Sequence, residues 1–190
     1  LGRLARVVEE PGIGFVTARV IADASGPFVH TAMLSAGREH GLKSGHPVIN
    51  ADGLVGRIVD PGRTASRLLL LTDLNSRIPV FVGRGQVRAV LMGDNGPMPR
   101  LAYLPANVTI TPGEEIYTSG VGGLFPRGLR IGVVAEDAGR SLVKPHARLD
   151  ELEYVSILRF ETLGPDLAED ERGTGKPSAR RRAAAQGDTP

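Results

Sequence analysis

Residues 118–134, TSGVGGLFPRGLRIGVV, decide how the rest of the chain is interpreted. Three glycines follow Ser119 within four residues, and this pattern suits a phosphate-binding loop, the turn that presents a nucleophilic serine, or a connection between strands. A phosphate-binding loop opens a helix, whereas residues 130–134 have the β-branched composition of a strand. The segment therefore favours a strand connection in which the glycines adopt positive φ angles.

Short apolar runs on both sides of this segment predict an all-β fold. About twelve runs, each of about four to eight residues and rich in Val, Ile and Leu, lie between residues 18 and 160. Gly, Pro, Asp or Asn residues bound them, and the chain contains 25 glycines and 14 prolines. Turn-forming residues at these positions indicate many strands joined by tight turns.

An internal repeat groups the predicted strands into two units. The segment GPFVHTAML at residues 26–34 matches GPMPRLAYL at residues 96–104, and GLVGRIV at residues 53–59 matches GLRIGVV at residues 128–134. Six strands in each unit suit a small closed barrel, because closure removes unpaired strand edges. We predict two tandem six-stranded β-barrels, the architecture of chymotrypsin-like proteases, over residues 12–84 and 85–162. The sequence leaves open whether the last strand, residues 154–160, closes the second barrel or returns to the first.

The two ends of the chain differ in composition from the predicted barrels. Leu1, Leu4 and Val8 have the spacing of a coiled-coil seam, so residues 1–11 are predicted to end a dimerising coiled-coil helix; a short amphipathic helix is the alternative. Residues 163–190 are polar and contain no aromatic residue, which predicts a disordered tail. The chain starts with Leu and has no apolar run of 18 residues, so we expect it to be a piece of a longer protein.

Composition argues against several kinds of ligand. Aromatic residues make up only 4% of the chain, Trp is absent and the formal charge is +2, so nucleic acid is not an expected partner. Cys is absent as well. His40 and His46 lack a third residue with which to bind a metal, and no cofactor is predicted.

A serine hydrolase on the double barrel is the alternative from a different class of function. It would require a serine hydrogen-bonded to a histidine that a carboxylate orients. The dipeptide before the candidate serine is Tyr-Thr, whereas the proteases have Gly-Asp there, so this reading is not favoured. The candidate residues are Ser119 with His30 or His46 and Asp60 or Asp73.

Three ordered segments carry a family resemblance. They are LKSGHPVINADGLVGRIVD (residues 42–60), ASRLLLLTDLNSRIPVFV (65–82) and TPGEEIYTSGVGGLFPRGLRIGVV (111–134). Together they resemble the extracytoplasmic domain of the MreC family of bacterial rod shape-determining proteins, over about residues 12–160. The resemblance implies a single-pass inner-membrane protein whose two β-barrels lie in the periplasm, anchored through a segment that this sequence does not include.

The same resemblance implies a non-enzymatic scaffold without catalytic residues. Its implied partners are a class B penicillin-binding transpeptidase, MreD, MreB and further copies of itself. We expect Leu124 and Phe125 to be exposed beside Arg127 as a partner-binding loop; the alternative is that Phe125 fills the barrel mouth. A second, weaker candidate surface includes Arg38 and His40.

Overall fold

The computed structural model describes residues 14–26 and 29–160. These residues form two closed six-stranded antiparallel barrels, which confirms the predicted all-β fold. Their helical segments are two three-residue 3₁₀ turns, Arg38–His40 and Val121–Gly123. The predicted coiled-coil helix and disordered tail lie outside the described residues.

The strands are β1 (Gly14–Gly26), β2 (Val29–Leu34), β3 (Pro47–Ile49), β4 (Leu54–Pro61), β5 (Ser66–Leu70), β6 (Arg77–Val82), β7 (Val87–Met92), β8 (Arg100–Ala102), β9 (Glu115–Thr118), β10 (Arg130–Asp137), β11 (Arg140–Pro145) and β12 (Tyr154–Arg159).

The order of strands around each barrel reproduces the sequence repeat. The first barrel runs β1-β12-β3-β4-β5-β2, and the second runs β10-β11-β8-β7-β6-β9. Strands β2 to β5 of the first barrel occupy the same relative places as β8 to β11 of the second. The two halves of the sequence therefore fold with one strand order.

The predicted boundary between the barrels is wrong for β6, and β12, whose barrel the sequence leaves open, belongs to the first barrel. Strand β6 pairs with β7 and β9 in the second barrel, and β12 pairs with β1 and β3 in the first. The reason is local, because residues 83–86 form a tight turn in which the Gln86 amide donates to the Gly83 carbonyl at 3.2 Å. This turn joins β6 and β7 as a hairpin, so it cannot serve as the linker between barrels. The second barrel, residues 77–145, is inserted between β5 and β12 of the first.

Two equivalent glycines allow neighbouring strands to approach closely in each barrel. A Cβ atom on Gly56 would lie 1.9 Å from the carbonyl oxygen of Leu69, and one on Gly132 would lie 2.1 Å from that of Lys144. Both distances are far shorter than a van der Waals contact. These two glycines therefore serve the same packing role in the two barrels.

The barrels share part of one hydrophobic core. Ile49, Leu54 and Leu158 belong to strands of the first barrel, yet they pack in the cluster that contains the buried residues of the second. Burying such a side chain contributes about 1.5–3 kcal/mol relative to exposing it. This contact and the two chain crossings hold the barrels together.

Candidate interaction surface

The segment that follows β9 is closed by one side chain. The hydroxyl of Thr118 donates to the carbonyl of Pro126 at 2.6 Å and accepts from the amide of Leu129 at 2.9 Å. The backbone of Thr118 also bonds to Gly128 and Leu129. These bonds close residues 119–129, here called the glycine loop, between β9 and β10. The loop leads into strand β10 and not into an α-helix, as the sequence predicts.

Three glycines determine the backbone conformation of the glycine loop. Gly120, Gly122 and Gly123 have φ angles of 75°, 81° and 71°, a region that other residues rarely adopt. The prediction that these glycines supply positive φ angles is confirmed.

Ser119 takes part in the structure of the loop. Its hydroxyl accepts a hydrogen bond from the Val121 amide at 3.2 Å, and its own amide donates to the Pro79 carbonyl at 3.1 Å. The side chain is buried. A serine oxygen that accepts from the backbone in this way stabilises a turn.

The candidate histidines bond to residues other than Ser119. His30 Nδ1 lies 2.8 Å from the Thr72 hydroxyl, and His46 Nδ1 accepts from the Lys43 amide at 3.2 Å. His46 is buried, although its position beside a Gly-Lys-Ser-Gly turn suggests a solvated residue. The arrangement does not favour the hydrolase, because a triad requires the histidine to contact the serine.

Phe125 points into the second barrel. It is 3% exposed and belongs to the core cluster of that barrel, so the expectation that it is exposed on the loop is wrong and the alternative, that it fills the barrel, is right. Val121 and Leu124 are exposed instead, at 46% and 42%. The loop therefore anchors itself with one apolar side chain and offers two others to solvent.

Arg127 covers an aromatic residue on the outside of the second barrel. Its guanidinium carbon lies 5.1 Å from the centroid of the Phe81 ring, within cation–π range. The Phe81 and Tyr117 rings are 5.9 Å apart in a tilted arrangement, and the Tyr117 hydroxyl donates to the Gly83 carbonyl at 3.2 Å. The glycine loop is thereby fixed against β6 and β9.

Strands β6, β7 and β8 continue this outer surface away from the loop. Their inward residues, such as Val80 and Leu91, are buried, and the strand register places the alternate residues side by side on the outside. This outer surface carries partly exposed apolar side chains in its middle and exposed arginines around them. We call it the arginine face, and its members are Arg77, Pro79, Arg88, Val90, Met92, Arg100 and Ala102.

The sequence alone indicates only part of the arginine face. The period of two in β7 places Arg88, Val90 and Met92 on one side of that strand. Arg77 and Arg100 are distant in sequence from one another, and only the register of three strands brings both to Met92.

The other predicted partner-binding residues lie elsewhere. Arg38 and His40 form an exposed 3₁₀ turn of the first barrel, where His40 Nδ1 accepts from the Gly37 amide at 3.0 Å. They are therefore not on the same barrel as the glycine loop. The predicted seam of Leu1, Leu4 and Val8 lies outside the described residues.

In the part of the chain that the structure describes, no group of three or more His, Cys, Asp or Glu side chains is placed to hold a metal ion. None of the helical segments in residues 14–26 and 29–160 has the length and apolar character that crossing a membrane requires.

Comparisons with known proteins agree on one family. The family described as "Rod shape-determining protein MreC, barrel core" matches residues 20–159. The cell shape-determining protein MreC of Caulobacter vibrioides is 45% identical over 153 residues, which cover 80% of this chain and 44% of that protein. The chain spans about half the length of the curated relatives that it matches.

Solved structures show the same fold. MreC from Pseudomonas aeruginosa superposes with a TM-score of 0.70 at 31% identity, over 76% of this chain and 98% of that one. A chain from the complex between a penicillin-binding protein and MreC of Helicobacter pylori superposes with a TM-score of 0.61 at 17% identity, over 77% of this chain and 99% of that one.

Proposed function

Since this chain belongs to the MreC family of rod shape-determining proteins, we propose that it is a non-enzymatic scaffold that maintains rod shape by positioning cell-wall synthesis. Its direct partner in this proposal is a class B penicillin-binding transpeptidase, which synthesises peptidoglycan during elongation. The solved complex of a relative with a penicillin-binding protein supports that choice. MreD, MreB and further copies of the chain complete the proposed assembly.

The mechanism that we propose is positional. A scaffold changes its partner's activity only by binding one conformation of that partner more tightly than another. The two barrels share part of a core and are connected twice by the chain, so they would hold a bound partner in a fixed orientation. The glycine loop is the main support for this proposal. Its Ser119 stabilises a turn by accepting a hydrogen bond from the Val121 amide, and its Phe125 is buried in the core.

The proposed location is the periplasmic side of the inner membrane, where peptidoglycan is synthesised. A single membrane-spanning helix outside this sequence would anchor the protein there. We further propose that Leu1, Leu4 and Val8 form the dimerisation seam, and that Leu124, Arg127, Arg38 and His40 contribute to contacts with partners. Phe125 would support those contacts from within the core.

Binding to the purified extracytoplasmic domain of the transpeptidase tests this function. We expect surface plasmon resonance to detect reversible binding, and we expect Ser119→Ala to bind equally well because the serine presents no reactive group. Covalent labelling of Ser119 by a fluorophosphonate, together with failure of the unaltered chain to bind, would instead support the hydrolase.

A further inference from the structure

We propose that the arginine face, with the adjacent Tyr103, is a docking surface for a protein surface that carries carboxylates around an apolar centre. This inference rests on the proposed function, because it assigns that acidic surface to the penicillin-binding transpeptidase. It concerns strands β6, β7 and β8, whereas the predicted partner-binding residues lie on the glycine loop and on the first barrel.

The charges of the two barrels support an acidic partner. Residues 77–145 contain eight Arg and Lys against five Asp and Glu, whereas residues 14–76 and 146–160 contain eight of each. Arg77, Arg88 and Arg100 are all exposed. Within the described residues none of the three forms an ion pair, although five other arginines do. The surplus positive charge of the second barrel is thus available to carboxylates from outside.

The middle of the face favours a protein over a polyanionic polymer. Pro79, Val90, Met92 and Ala102 are partly exposed and lie between the arginines. A glycan or phosphate polymer would gain little from apolar contacts there. An apolar centre with an arginine rim is instead the composition of a protein–protein contact.

The same charges argue against a second copy of this chain. A two-fold contact brings the same patch of both subunits together. Two arginine faces would then bring like charges into contact, which is costly when they lose water. The face therefore fits a partner of the opposite charge.

Tyr103 supplies an independent observation at the end of β8. Its φ angle is 58°, in the left-handed region, and its side chain is 76% exposed. A bulky residue in this region is strained, and the strain is not offset by burial of the ring. It follows Ala102 of the arginine face directly, where an exposed tyrosine can anchor a contact at little cost in conformational entropy.

The first test changes single charges and measures binding of the immobilised extracytoplasmic domain of the transpeptidase to the 190-residue chain. We expect Arg88→Glu and Arg100→Glu each to weaken binding about tenfold, with a shallower dependence on salt. Arg19→Glu is the matched control, since Arg19 is an exposed outward residue on β1 that forms no ion pair within the described residues. It should change binding less than about twofold.

The second test separates binding from stability. Tyr103→Gly should raise the unfolding temperature, because glycine adopts positive φ without strain, and it should weaken binding. Ala138→Gly is the control, because Ala138 also has a positive φ of 50° and lies in the turn between β10 and β11. It should raise the unfolding temperature and leave binding unchanged.

The outcomes distinguish this inference from the proposed function. If the unaltered chain does not bind the transpeptidase, both are overturned. If it binds and the arginine and tyrosine variants bind equally well, only the docking surface is overturned. The docking surface alone is also overturned if these variants keep their affinity for the transpeptidase but lose self-association, measured by sedimentation velocity, or lose binding to isolated wall polymer.

Discussion

Thr118 holds both ends of the glycine loop through a single hydroxyl group. That group is fully buried and bonds to Pro126 and Leu129, the positions from which the chain returns to β10. The sequence of residues 118–129 in this chain, TSGVGGLFPRGL, thus has a physical explanation. The threonine closes the loop, the serine caps a turn, the glycines supply positive φ angles and the phenylalanine fills the core.

Replacement of the Thr118 hydroxyl tests this explanation. Thr118→Val should lower the free energy of unfolding by about 2 kcal/mol, because it leaves a buried amide and a buried carbonyl without partners. Thr118→Ser keeps the hydroxyl and removes one methyl group, so it should cost only about 1 kcal/mol. Urea unfolding monitored by circular dichroism would measure both values. An equal cost for both variants would show that the hydroxyl has no special role.

Neighbouring residues of the loop should differ sharply in their contributions to stability. We expect Phe125→Ala to lower the free energy of unfolding by about 3–5 kcal/mol, because it removes a buried ring from the core. Leu124→Ala, at an exposed position, should change it by less than about 0.5 kcal/mol. The same urea experiments decide the matter, and a small effect at Phe125 would mean that its ring is at the surface in solution.

The sequence predicts the chemistry of the loop better than the direction of its side chains. Glycine content and the strand that follows indicate a connection, and both are local signals. Whether Phe125 or Leu124 faces the core depends on bonds between residues up to eleven positions apart, such as that between Thr118 and Leu129. No periodicity within a glycine-rich segment reports such bonds.

At the scale of strands, the chain crosses between the barrels twice. The first crossing, residues 71–76, is bonded to the connection between β7 and β8 by the amides of Gly93 and Asn95, at 3.1 and 2.8 Å. The second crossing leads from β11 to β12, so the last strand completes the first barrel. The repeat predicts the number of strands in each barrel, because matched strands have matched sequences. It does not predict that β6 belongs to the second barrel and β12 to the first, because pairing between distant strands has no signature in the sequence of either strand.

Removal of the last strand tests this topology. Deleting residues 154–190 should unfold the first barrel, because β1 and β3 both lose their neighbour and Val155 and Ile157 leave its core, at about 1.5–3 kcal/mol each. Amide signals of β6 to β11 should remain dispersed in two-dimensional NMR spectra. A control that lacks only residues 161–190 should keep both barrels, because it retains all twelve strands. Loss of signals from the second barrel alone would contradict the topology.

At the scale of the whole molecule, the proposed scaffold role rests on where the polar and apolar side chains lie. The side chains of Thr118 and Ser119 hold the backbone of the glycine loop, while the outer surface of the second barrel presents arginines and apolar groups to solvent. The closed barrels place these groups on strands, which keep a surface in a fixed shape better than loops do. These features suit the scaffold role that we propose.

The shape of cells that carry altered proteins tests this view most directly. Ser119→Ala and the double change Arg88→Glu with Arg100→Glu would be introduced separately into the full-length protein in its own cells, with protein amounts matched by immunoblot. Microscopy should show normal rods for Ser119→Ala and rounded cells for the arginine changes. Rounded cells from Ser119→Ala at the normal protein level, with rods from the arginine variant, would contradict a scaffold that acts through the second barrel's outer surface.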